Sequence, residues 1–127
     1  MQEREYDLED RLVRFSSNIV GLAKMLPNTK AGRYIRDQMT RCGMSPSMNY
    51  GEAQGAESPD DFIHKMKVVL KELKETRVCV KLIFHQKLIE NQKLVTDLRN
   101  ECEELIKIVA TSIITATNNN NKNKKNE

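Results

Sequence analysis

The run from Ser45 to Arg77 most constrains what this chain can fold into. It joins a stretch of small and amide residues (Asn49, Ala53, Gln54, Gly55, Ala56) to Ser58-Pro59-Asp60-Asp61, an unambiguous helix start. Ser58 can cap, Pro59 suits the first helical position, and two carboxylates sit at the positive end of the helix dipole. The helix that follows runs to about Lys87. Small residues before it allow neighbouring helices to approach closely.

The rest of the chain is punctuated the same way. Leu8, Leu12, Phe15, Ile19, Leu22 and Leu26 alternate steps of four and three, one buried stripe of a first helix over about 8–26. Pro27-Asn28 ends it, and Asn28 or Thr29 can cap a second helix over about 30–56, with Tyr34, Ile35, Gln38, Met39 and Cys42 inward. Gly43 and Pro46 predict a kink or brief restart near 43–46, because Pro46 cannot bond the carbonyl of Cys42. The third helix covers about 59–87 and the fourth about 93–117, with Leu94, Leu98, Cys102, Leu105, Val109, Ile113 and Ala116 as its stripe. Short connections between amphipathic helices predict an all-α, antiparallel up-down-up-down four-helix bundle. With 127 residues, 3 prolines, 5 glycines and 31% charged residues, the chain suits one helical domain, residues 1–117. Residues 118–127 are low in complexity, lack apolar side chains, and are expected to form a disordered Asn/Lys-rich tail.

Net charge is +3, and the tail, with three lysines against Glu127, supplies +2 of it. The folded part is close to neutral, which argues against dominant nonspecific nucleic-acid binding by bulk charge. The charged N-terminus has no apolar core of a signal peptide, and no apolar run approaches the ~20 residues that cross a bilayer. Cys42, Cys79 and Cys102 lie at or beside apolar helical positions without C-x-x-C spacing, which reads as reduced thiols packed as small hydrophobes in a cytoplasmic protein.

At about 100° per residue the third helix has three faces. Phe62, Met66, Val69, Leu70, Leu73, Thr76, Val80, Ile83 and Phe84 form the core face. Lys67, Lys71, Lys74 and Lys81 form a basic ridge, and Arg33, Arg36 and Arg41 lie away from the apolar side of the second helix. His64, Val68, Glu75, Cys79 and Leu82 form a mixed third face that is a candidate subunit interface. The ridge has two open readings, a solvated face or a phosphate-binding surface made of Arg33, Arg36, Lys67, Lys71, Lys74 and Lys81. No aromatic residue is interleaved to stack on bases.

Reaction chemistry finds no foothold. No Glu-x-x-His exists for a di-metal bundle site, and Asp61, three before His64, suits a capping role. There is no G-x-S-x-G, no phosphate-binding glycine loop, and no base nominated for a cysteine. Glu52 and Glu75, with Asn49 and Arg77, are expected to form a polar network or ion pairs that fix register. No catalytic, cofactor or metal residue is expected.

Arg41-Cys42-Gly43-Met44-Ser45, Asn49-Tyr50-x-Glu52-Ala53-x-x-Ala56-x-Ser58, Asp61-Phe62-Ile63-His64-Lys65-Met66 and Leu70-Lys71-Glu72-Leu73-Lys74-Glu75-Thr76-Arg77 together resemble the bacterial four-helix bundle proteins of the 23S rRNA intervening-sequence family. Tyr6-Asp7-Leu8 and Glu103-Glu104-Leu105 extend the resemblance over nearly the whole chain except the tail. It implies a small cytoplasmic bundle that assembles as a homopentamer and has no established catalytic residues. The related accessory variability protein of diversity-generating retroelements is a basic pentamer that engages a reverse transcriptase and nucleic acid; this chain departs from that branch in being far less basic outside its tail. The expected function is a non-enzymatic, homo-oligomeric accessory or scaffold protein associated with RNA or DNA. The alternative is a structural or protein-interaction module without nucleic-acid binding.

Overall fold

The computed structural model describes residues 7–126; the expectations placed on the first six residues and on Glu127 lie outside them. The chain forms α1 (Leu8–Lys24), α2 (Lys30–Gln54), α3 (Pro59–Gln86) and α4 (Gln92–Lys125), with no strand among the described residues. Each helix packs on its neighbours in chain order, and α4 closes back on α1 along the sparsest seam. This is the four-helix bundle that the apolar spacing predicts.

Every helix begins on a side-chain cap. Asp7, Thr29, Ser58 and Asn91 accept from the N–H groups of Asp10, Gly32, Asp61 and Leu94 at 3.0–3.4 Å. Asp61 completes the third cap by accepting from the Glu57 N–H at 3.2 Å, and this bond holds its carboxyl below the ordinary range. Phe15, Ile19, Met39, Met66, Leu73, Ile83 and Leu105 are among the fully buried side chains at the centre. Tyr34, expected inward, is 66% exposed. Of the small-residue stretch only Ala53 is fully buried, while Asn49 turns back on Ser45.

The close approach falls instead six residues before that stretch, at Gly43. A Cβ there would overlap the side chain of Ile19 on α1. Pro46 does not break α2, which runs unbroken from Lys30 to Gln54. The carbonyl of Cys42, deprived of its helical donor by Pro46, receives the Thr76 hydroxyl of α3 at 3.0 Å. The same hydroxyl lies 2.9 Å from the Glu72 carbonyl, so one buried proton is shared between two helices. A tertiary donor thus replaces a lost backbone donor, and the expected restart is unnecessary.

Polar pairs hold the seams. Arg11 grips Glu101 with two bonds of 2.7 and 2.9 Å, tying α1 to α4. Arg77 reaches Glu103 at 3.0 Å between α3 and α4. Lys65 lies 3.9 Å from Glu52. Of the expected network or ion pairs, the ion pairs form: Glu52 and Glu75 each pair across the α2–α3 seam and Arg77 across the α3–α4 seam, while Asn49 bonds Ser45 within α2, so the four residues do not join in one network.

The end of α4 also differs from expectation. The helix, expected over about 93–117, passes Thr117 and continues to Lys125. Contacts with the start of α3 supply what the composition lacks: Asn120 is buried and donates to Asp60 at 2.6 Å. Lysines in the last turn also oppose the negative end of the helix dipole.

Thr76→Val should cost about 1–3 kcal/mol in denaturant unfolding, since it strands a buried carbonyl. Pro46→Ala should shrink that cost in the double variant by returning an N–H to the same carbonyl. Additive effects of the two substitutions would contradict this role of Thr76.

Candidate nucleic-acid interface

The packing of α2 and α4 decides which part of α3 meets water. Toward α2, α3 turns Glu72, Thr76 and Cys79. Toward α4 it turns Leu73, whose carbonyl accepts from the Cys102 thiol at 3.3 Å, and Arg77. Opposite both neighbours lie Lys67, Lys71, Lys74, Val78 and Lys81, all exposed.

The four lysines form one row about 21 Å long at 1.5 Å per residue. None forms an ion pair with a carboxylate among the described residues. Lys67, Lys71 and Lys74, with Leu70, Glu75 and Val78, line a shallow groove of about 540 Å³. Val78 is 54% exposed in the middle of the row, a position sequence periodicity did not single out.

Arg33 and Arg36 do not join this row. Arg36 donates to the Leu26 carbonyl of the α1–α2 connection at 2.9 Å, and Arg33 reaches the Asn28 side chain at 3.1 Å. Both are held at the α1–α2 turn. Arg41 is held as well, at 3.3 Å from Glu72 and 3.0 Å from Glu75.

The candidate subunit interface is divided by the same packing. Cys79 is buried against α2, and Glu75 is engaged by Arg41. Val68 is half-buried, whereas His64 and Leu82 are exposed. An apolar side chain covered by its own α2 and one awaiting a second copy look alike in sequence, which is why these five residues read as one face.

The cysteines are free and buried. The Cys79 thiol donates to the Cys42 sulfur, which draws Cys42 down to about 7 and pushes Cys79 up. Burial pushes Cys102 up to about 12. With Cys42 only 1% exposed, the pair is packed away from solvent. No cluster of three or more His, Cys, Asp or Glu suited to a metal occurs among the described residues. A groove of about 740 Å³ follows the α1–α4 seam and carries both signs of charge, with Arg11, Arg14, Asp97 and Glu101 on its walls.

The geometry defines a four-helix bundle whose third helix carries a row of exposed lysines that form no salt bridge among the described residues. The chain belongs to the family of 23S rRNA-intervening sequence proteins, whose model matches residues 4–111. It is similar to the crystal structure of a protein of unknown function from the S23 ribosomal protein family of Bacteroides thetaiotaomicron. The two are 30% identical, with a TM-score of 0.78, over 84% of this chain and 98% of that one. No curated protein matches.

Burial raises the Glu72 carboxyl, while the Arg41 guanidinium lowers that of its neighbour Glu75. Folded Glu72 therefore keeps its proton to higher pH than the unfolded chain does, and its ionisation costs stability above the unfolded value of about 4.3. Urea unfolding should show Glu72→Gln gaining on the wild type as pH rises from about 4 towards neutrality. A gap that stays flat or narrows over that range would contradict the burial effect.

Proposed function

We propose that this protein is a non-enzymatic, RNA-associated accessory or scaffold protein that works as a homo-oligomer in the cytoplasm, with five copies as the family resemblance implies. The observation that carries this reading is the exposed row Lys67, Lys71, Lys74 and Lys81, without a salt bridge among the described residues, on a member of the 23S rRNA-intervening sequence family. The low net charge is no obstacle, because a row repeated around a ring raises the local potential well above what +3 implies. Free, buried cysteines suit a reducing compartment. No helix among the described residues is long and apolar enough to cross a membrane. Should kinship with the retroelement accessory proteins hold, a reverse transcriptase joins the candidate partners, and DNA competes with RNA for the same row.

Exposed apolar side chains support a second reading, a protein-interaction module. Val78 and Leu82 lie one turn apart on α3, at 54% and 44% exposure, and Met48 on α2 reaches 68%. Such a module would bind its partner with little dependence on salt.

RNA binding measured across a salt series separates the two. Four phosphate contacts give a slope of log K on log salt near −3 for a single strand, at about −0.7 per contact. Changing Lys67, Lys71 and Lys74 to Glu should abolish most of that binding. Unchanged retention on RNA would exclude the row.

Assembly has its own test. Light scattering should show an oligomer for the wild type and a smaller species for Val68→Glu with Leu82→Glu. A monomeric wild type would sink the oligomer proposal.

A further inference from the structure

The family match ends at residue 111, yet α4 continues without interruption to Lys125. The extension is anchored. Asn120 Nδ2 lies 2.6 Å from Asp60 Oδ1, and Lys124 Nζ lies 3.4 and 3.3 Å from the two Asp60 oxygens. Asp60 is not a random anchor. Seven residues before Lys67, it falls within about 20° of Lys67 and Lys71 around the helix at 100° per residue. It is the one acid among the outward positions Asp60, His64, Lys67, Lys71, Lys74, Val78 and Lys81.

A carboxylate at the head of a cationic row repels a phosphate chain arriving there. The extension answers that charge with Lys124 and adds the exposed Lys125 in the last turn, while Lys122 stands about 160° round the helix from Lys124, on its far side. Asn120 and Lys124 hold the Asp60 carboxyl below its ordinary range, so its charge is present at neutral pH and needs an answer. From Lys81 to Asp60 the track measures about 32 Å at 1.5 Å per residue. No Phe or Tyr stands among these outward positions, so contacts fall on phosphates and not on base faces.

We propose that the α4 extension completes the RNA site: Lys124 neutralises Asp60 at the head of the α3 lysine row and the exposed Lys125 carries positive charge past that head, giving one track for a phosphodiester backbone. The proposal rests on the RNA-associated reading above. The contacts are independent of base sequence, and the extension contributes affinity and salt dependence to them.

Fluorescence anisotropy with a labelled 30-nucleotide polyuridine over a potassium chloride series tests it on the full chain. Lys122→Gln, Lys124→Gln and Lys125→Gln combined should weaken binding, by leaving Asp60 unanswered, and flatten the slope of log K on log salt by about 0.7, the share of the one lysine not paired with Asp60 or turned to the far side of α4. Asp60→Asn should bind more tightly than the wild type, because it removes the repelling charge and frees Lys124. Thermal melts of both variants show whether the helices persist. If the triple Gln variant keeps the wild-type slope while reversal of Lys67, Lys71 and Lys74 removes binding, the RNA reading stands and the extension has no part in it. Weaker binding by both the triple variant and Asp60→Asn makes the extension a structural clamp only, which also overturns the proposal. No binding by the wild-type chain defeats both readings together.

Discussion

The hydrogen bond from Thr76 to the carbonyl of Cys42 is the contact on which the arrangement of α3 depends. Pro46 strips that carbonyl of its own helical donor, and a buried orphan acceptor costs about as much as a lost hydrogen bond. Satisfying it sets the height and the rotation of α3 against α2. Cys79, one turn beyond Thr76, then meets Cys42, and Glu72 with Glu75 meets Arg41. On the adjacent residue of α2, Gly43 lets Ile19 of α1 come close. A single turn of α2 therefore fixes two seams of the bundle. Once α2 and α4 occupy their sides of α3, the remaining arc faces water, and that arc is the lysine row.

Much of this was legible in the sequence because it rests on local rules. The caps at Thr29 and Ser58, the apolar stripes of α1 and α4 and the capping role of Asp61 all follow from side chains within four residues of one another. What stayed hidden depends on distant partners. Proline chemistry alone cannot reveal that a hydroxyl thirty-four residues away replaces the missing donor of Cys42. Counting cations cannot show that Arg36 is spent on the Leu26 carbonyl of the α1–α2 connection. Periodicity marks Cys79 and Glu75 as a second surface, whereas α2 covers the first and Arg41 engages the second. The end of α4 escaped for a related reason: its composition is polar, and its order comes from Asp60, sixty residues before Asn120.

The cationic row follows from the same division. Arginines near helix ends or between helices are used up in holding the bundle together, and Arg11, Arg36, Arg41 and Arg77 all serve this way. Lysines on the outer arc of α3 form no salt bridge among the described residues, although Glu72 and Glu75 lie close enough to feel Lys71. Structural cations and available cations are thus separated by position, which lets a chain of small net charge carry a concentrated local one. A scaffold that binds a polyanion needs no cleft for this, only a rigid helix that keeps its charges in register.

Chemical-shift mapping of the isotope-labelled protein with a short RNA tests this division most directly. Perturbations concentrated on the outer residues of α3 from Lys67 to Lys81, with Thr76 and the buried α2–α3 contacts undisturbed, are the expected result. Perturbations centred on the α1–α4 groove, or none at all on α3, would contradict it.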